Sequence, residues 1–289
     1  MILAVPYLWM LLFFSVPCLI IAAMSLALAA TASPPFEFLP DWPFASLENF
    51  AYILSDSLYV RAYIVSAINA ATATAFCLAL GYPMALAIAR TSRQRRNLWL
   101  MVVILPFWIS FLLRVYAWMG LMSASSWFNQ WLTAVVNAFL PEAAHLSNLP
   151  MMNSNFAVIL VMVYSYLPFM ILPLYATLER MDPSLTEAAT DLGARPLWTF
   201  LHVTLPLSLP GIIAGSLLTF IPASGEFVIP SLVGDPSDPM IGRIINEEFV
   251  GARDWPLASA VAITLLAFLM IPILVYNHFE ARDLARAKP

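Results

Sequence analysis

Long apolar runs separated by short polar stretches dominate the chain, and they lack the strict alternation of half-buried strands. A helix crossing a hydrocarbon core of about 30 Å needs roughly 20 predominantly apolar residues. Val5–Ala30, Ala62–Ala89, Leu98–Met122, Asn155–Leu178, Gly211–Leu232 and Pro256–Asn277 all satisfy that length. The pattern predicts an all-α integral membrane protein with about six transmembrane helices. Nothing basic precedes the first run, and it is longer than the ~7–15 apolar residues of a signal peptide, so it reads as a retained span. The expected organisation is a first helix with its outer loop over 1–59, a core of spans over 60–278 and a tail over 279–289.

Composition agrees with a membrane class. Of 289 residues, 62% are hydrophobic and 10% are charged, and the mean hydropathy is +0.84. A soluble surface needs more charge than that. The 23 prolines predict broken rather than straight helices, tolerable where protein or a watery path satisfies the freed backbone groups. Cys18 and Cys77 fall inside apolar runs and read as small buried hydrophobes, with no disulfide framework or metal site.

Charge sets the expected orientation. Arg90, Arg93, Arg95 and Arg96 crowd the segment between the second and third spans. Arg180 and Arg195 lie between the fourth and fifth, and Arg282, Arg286 and Lys288 follow the sixth. The alternate segments hold Arg61, Arg243 and Arg253. By the positive-inside rule both termini and the 90–97 and 179–210 segments face the cytoplasm. The outer segments carry Glu37, Asp41, Glu48, Asp56, Glu142, Asp235, Asp238, Glu247, Glu248 and Asp254. These are ordinary solvated loops, or a surface that favours a cationic ligand or a basic docking partner.

The 179–210 segment is too patterned for a plain turn. Asp182-Pro183 is a helix start, an acceptor at the N-cap and a residue without a donor at N1. Gly193 is placed as the terminator just past the helix end, and Arg195-Pro196 opens a second element that runs to Leu205-Pro206. A short helix with Ala188 and Ala189 suits docking into a groove of another protein, with Glu187 positioned to meet a basic group; resting on lipid headgroups is the alternative. The run Glu187-Ala188-Ala189, Gly193, Val203-x-Leu205-Pro206 resembles the EAA motif, E-A-A-x3-G-x9-I-x-L-P, of binding-protein-dependent ABC importer permeases. Val203 for Ile is the departure. The resemblance implies the type I (MetI-like) permease fold, with the first span peripheral. It also implies that this loop seats on an ATPase subunit.

Lys288 is the only lysine. A phosphate-binding loop of the type G-x-x-x-x-G-K-[ST] is therefore ruled out, and with it ATP hydrolysis by that route. The resemblance assigns ATP and Mg to a partner ATPase and implies no cofactor in this chain. The implied partners are a second homologous permease, two ATPase subunits and a periplasmic substrate-binding protein, in the bilayer of a bacterial inner membrane, with no nucleic acid. No catalytic residue is expected.

Two ionisable residues fall within predicted spans: Arg114 in the third, and Glu226 within or at the outer end of the fifth. A charge at a helix centre costs about 2.5–3.5 kcal/mol on insertion scales, so each is expected to be paired or to face water. They pair with each other, or line a path, and the two readings are compatible. The runs P-F-W-x-S-x-L-x-R-x-Y-A-W at 106–118, G-E-F-V-I-P at 225–230 and Tyr166–Tyr175 resemble the polyamine branch of the importer family, the spermidine/putrescine permeases of the PotB/PotH type. A flexible aliphatic polycation calls for carboxylates and aromatic faces. Glu226 and Phe227, with Trp108, Tyr116, Trp118, Tyr164 and Tyr166, are the candidates, and Arg114 argues against a wholly acidic path. Rival readings are a permease for an opine, an iron complex, sulfate or a phosphonate, an ion-coupled secondary transporter, and a scaffold subunit without a path.

Overall fold

The computed structural model describes residues 4–38, 47–141 and 144–286. Asp41, Glu142 and Lys288 lie outside the described residues, and Arg282 and Arg286 are described in their backbone alone. Helices α1 (Ala4–Met10) and α2 (Val16–Met24) join through a π-helical turn at Leu11–Ser15. A two-stranded antiparallel ribbon follows, β1 (Leu28–Ala29) with β2 (Phe36–Glu37), pairing Leu28 with Glu37. Next come α3 (Glu48–Ser55), α4 (Ser57–Arg90), α5 (Arg93–Ile104) with a 3-10 turn at Leu105–Trp108, α6 (Phe111–Met122), α7 (Trp127–Asn137) and α8 (Asn155–Glu179). The patterned loop holds α9 (Pro183–Asp191), α10 (Pro196–Thr199), a π-helical turn at Phe200–Thr204 and α11 (Leu205–Leu207). The chain ends in α12 (Leu209–Ser224), α13 (Val228–Val233), α14 (Ile241–Asn246), a π-helical turn at Glu247–Ala252 and α15 (Trp255–Arg286).

Among the described residues, four stretches are single helices long and apolar enough to cross a membrane: Pro6–Met24, Ser57–Arg90, Asn155–Glu179 and Trp255–Leu274. Counting each of two bent pairs as one span gives up to six. The bends correct two expectations. The third span is not one helix: Arg93–Trp108 and Phe111–Met122 meet at 88°. Pro106 supplies no backbone donor, and Ile109 is extended (φ −93°, ψ 138°), which ends the first half. The fifth span ends at Ser224 instead of Leu232, because the helix opens at Gly225–Phe227 before α13. Its N-terminal end bends by 65° between Pro196–Leu207 and Leu209–Ser224, with Pro206 and Pro210 flanking Ser208. The first span is also shorter than predicted, since Asn49 Nδ2 donates to Ser25 O (3.1 Å) and Ala27 O (2.9 Å) and holds the chain in a turn there.

The chain divides into two compact units. One comprises residues up to 66, 225–227 and those from 238 onward. Its core joins Ile53, Tyr59 and Ala62 to Ile241, Ile244, Leu257, Ala260 and Val261. Buried polar groups find partners there: Ser66 Oγ accepts from Ile241 N (2.7 Å), and Tyr63 OH donates to Val261 O (2.7 Å). In the same unit α2 leans on α15.

The second unit spans 67–224 and 228–237. Its centre is the contact of α12 with α8. A Cβ on Gly211 would lie 2.6 Å from Thr177 Oγ1, and one on Gly215 would lie 2.8 Å from Met170 Sδ. The spacing Gly-x-x-x-Gly puts both on one face, so the backbones meet where only hydrogen fits. Tyr82 OH and the buried Ser208 Oγ, 2.8 Å apart, tie α4 to the bend before α12. Pro168 and Pro173 lie inside α8, and Thr177 Oγ1 donates to Pro173 O (3.0 Å).

Candidate functional site

The patterned loop folds as its sequence dictates. Asp182 Oδ1 accepts from Ser184 N (2.9 Å) with Pro183 at N1, so α9 starts where an acceptor meets a residue without a donor. That backbone N–H, and then the Ser184 hydroxyl, hold the Asp182 carboxyl below its ordinary range. Gly193 has φ +83°, a conformation that side chains strain to adopt. Gly193 N donates to Thr190 O (2.8 Å) and Ala194 N to Ala189 O (3.0 Å), the paired bonds of a Schellman end.

This fold brings the motif together. Ala188, Ala189, Gly193 and Val203 line one groove of about 620 Å³, with Leu185 and Trp198 on its walls. Ala189 is buried against the second element, while Ala188 and Glu187 are exposed. Leu205 is half-buried and its carbonyl accepts from Ser208 Oγ (2.9 Å), and Pro206 sits exposed in the turn that leads to the 65° bend. Leu192 is 89% exposed and Trp198 51%. A loop with this much bare apolar surface has the character of a docking face.

One element here escaped sequence reasoning. Arg96 Nη1 donates to Glu179 Oε1 at the end of α8, and Arg96 Nη2 donates to Ala89 O (2.9 Å) near the end of α4. A single guanidinium thus ties α4, α5 and α8 together, and its partner Glu179 stands three residues before the Asp182 cap. In the sequence Arg96 is one of four basic residues in a loop, and nothing local marks it apart.

The predicted intramembrane groups divide between the units. Arg114 is 7% exposed on α6. Its guanidinium carbon lies 5.5 Å from the Phe107 ring centroid and 5.6 Å from that of Phe111. Its Nε and Nη1 make no hydrogen bond among the described residues. Phe107 continues the aromatic contact to Phe169 (5.1 Å), and Phe169 to Tyr166 (6.2 Å). Trp118 meets Tyr164 edge-on at 5.5 Å. Trp108 and Tyr116 stand outside this cluster, 78% and 53% exposed. Glu226 and Phe227 belong to the first unit, in the non-helical Gly225–Phe227 segment. Glu226 is 8% exposed and Phe227 43%. There the backbone passes so close to α14 that a Cβ on Gly242 would lie 2.6 Å from Glu226 O.

A family model described as "binding-protein-dependent transport system inner membrane component" matches residues 78–282. The chain is 38% identical over 231 residues to the spermidine/putrescine transport system permease protein PotB of Escherichia coli K12, covering 80% of this chain and 81% of that one. It is 36% identical over 286 residues to the protein of the same name from Haemophilus influenzae, covering 99% and 94%. The backbone superposes with a TM-score of 0.68 on the crystal structure of a bacterial ABC transporter involved in the import of the acidic polysaccharide alginate, at 18% identity over 97% of this chain and 94% of that one.

Proposed function

The chain belongs to the family of binding-protein-dependent transport system inner membrane components, which makes it a multi-pass permease subunit of an ABC importer, and we propose that its cargo is a polyamine moving into the cytoplasm. It is a transport subunit and not an enzyme, and a permease of this kind needs no cofactor of its own. The observation that carries the cargo is the buried carboxylate of Glu226, in a non-helical break within the apolar sequence, in a chain similar over most of its length to spermidine/putrescine permeases. The outer charges support it. Arg61 Nε donates to Asp238 Oδ1 (2.8 Å) and Arg243 Nε to Glu247 Oε1 (2.7 Å), so two of the three outer arginines are matched by carboxylates and the remaining field favours a cation.

In this reading the α9 groove with Glu187, Ala188, Ala189, Gly193, Leu205 and Pro206 seats on a separate ATPase, which binds ATP and Mg. Two such subunits, a second homologous permease and a periplasmic substrate-binding protein complete the importer, and both termini face the cytoplasm. Closure of the ATPases moves the α9 loops and tilts the permeases between outward and inward access. Glu226 and Phe227, with the aromatic groups beside Arg114, receive ammonium groups and methylene stems in turn.

Uptake of radiolabelled spermidine and putrescine by cells or proteoliposomes carrying the whole importer tests the proposal. Glu226→Gln is expected to lower uptake at least tenfold, about 1.4 kcal/mol of lost interaction, while the permease still co-purifies with its ATPase. Uptake by the Gln variant equal to that of the parent removes the role of this carboxylate. Uptake of an oxyanion in place of polyamines by the parent removes the cargo.

A further inference from the structure

Helix α7 wears its polarity inside out. Asn129, Thr133 and Asn137 repeat at i, i+4 and i+8, and each is bonded inward to the loop that follows. Asn129 Nδ2 donates to Met122 O (3.0 Å) and Leu149 O (2.9 Å), and its Oδ1 accepts from Leu149 N (3.1 Å). Thr133 Oγ1 also accepts from Leu149 N (3.1 Å), and Asn137 exchanges a pair of 2.9 Å bonds with the backbone of Leu146. The opposite stripe, Trp127, Gln130, Trp131, Ala134, Val135 and Ala138, is exposed. Trp127 is 73% and Trp131 57% exposed. A helix lying on a soluble core in water shows the reverse arrangement.

We propose that α7 lies flat at the membrane–water boundary, on the membrane face opposite the α9 loop, with Trp127 and Trp131 set among lipid headgroups. Four observations favour lipid over a protein partner. The helix begins just past the end of α6, separated by Ser123–Ser126, and α6, the second half of the bent third span, exposes Leu112, Leu113 and Tyr116. Helix α8 runs from this side to the α9 loop, which fixes the face. From Val115 to Pro141 the sequence has no Asp, Glu, Lys, Arg or His, so the stripe lacks the charged rim of a docking surface. Tryptophan combines an apolar body with an N–H donor, the combination enriched at both edges of a bilayer. Asn129, Thr133 and Asn137 are bonded internally, and burying the outer face of α7 in the boundary layer strands only the Gln130 amide and the tryptophan N–H groups, which the headgroup layer can satisfy. The inference rests on the chain spanning the membrane and is independent of the cargo.

The test places an environment-sensitive nitrobenzoxadiazole label at Trp131→Cys in a Cys18→Ala, Cys77→Ala background, in the assembled importer reconstituted into liposomes. The lipids are phosphatidylcholines brominated near the headgroup end or near the methyl end of the acyl chain. Ala138→Cys, on the same stripe, is the second site, and Ser184→Cys in the α9 loop is the reference position away from lipid. Quenching at 131 and 138 is expected to be at least about twofold that at 184, and stronger for bromine near the headgroup than near the chain end, as a helix at the interface requires. Quenching no greater than at 184 overturns the proposal. So does quenching that appears in the isolated permease and vanishes in the assembled importer, because a protein then covers the stripe. Loss of polyamine uptake without change in quenching touches the cargo alone.

Discussion

Gly242 offers a direct test of how the fold holds the Glu226 segment. It is the second residue of α14 and buried, and its Cα faces the Gly225–Glu226 peptide. A methyl group there would lie 2.6 Å from Glu226 O and 2.8 Å from the carbonyl carbon of Gly225. Both are backbone atoms, so no rotamer change relieves the overlap, and either α14 or the 225–227 break must move. Overpacking of this kind costs about 1–3 kcal/mol, against a gain of roughly 0.5–1 kcal/mol from replacing glycine in a helix. The net expectation for Gly242→Ala is a loss of up to about 2.5 kcal/mol in stability. Because the displaced atoms carry Glu226, polyamine uptake should fall with it. Gly120→Ala is the control: a Cβ at Gly120 meets nothing within 4 Å, so the same change on α6 should be neutral or slightly stabilising. Thermal unfolding of the purified permease in detergent and uptake in liposomes read the two effects. If Gly242→Ala melts and transports like Gly120→Ala, the close approach of α14 to the 225–227 segment is wrong.

Gly193→Val should leave expression and membrane insertion intact but uncouple ATP hydrolysis from uptake. Nothing lies within 4 Å of a Cβ there, so the penalty is the backbone strain of φ +83°, about 1–2 kcal/mol, released by distorting the end of α9. ATP turnover per polyamine imported is the readout, and an unchanged ratio refutes it. Arg96→Ala and Glu179→Ala should each lower uptake more than they lower ATPase association, since the pair ties α4, α5 and α8 beside the α9 cap. The exchanged pair Arg96→Glu with Glu179→Arg should restore part of the Glu179→Ala loss. Failure of every exchange to exceed the single variants would show that the contact is incidental.

What the sequence announced, and what it withheld, follows from the range over which each feature is determined. The α9 helix was legible to the residue because Asp182, Pro183 and Gly193 act on their own neighbours, through one side-chain bond, one missing donor and one positive φ. The fourth span was legible because its apolar run ends on local signals, with Ser154 Oγ accepting from Ala157 N (3.2 Å) at one end and the loop at the other. The bend in the third span was not. Pro106 is visible, but apolar residues continue through it, and hydropathy does not record direction. The orientation of α7 was hidden for a related reason. Its polar positions repeat at helical spacing, yet only the loop at 146–149, distant in sequence, decides that they face inward.

The breaks and the intramembrane charges share a physical logic. Arg114 lies one turn past the extended Ile109–Ser110 link, and Glu226 lies inside the Gly225–Phe227 opening. A helix break frees backbone groups that hydrocarbon cannot satisfy, so it persists at membrane depth only beside protein or water. A charge carries the same requirement. Placing each ionisable residue at a break lets one polar environment serve both, whereas a charge on an unbroken helix such as α8 would demand its own. The aromatic faces of Phe107 and Phe111 over Arg114 meet part of that demand without a second ion. On this reasoning, straightening the third span by Pro106→Ala would make Arg114 harder to accommodate, and the two features stand or fall together.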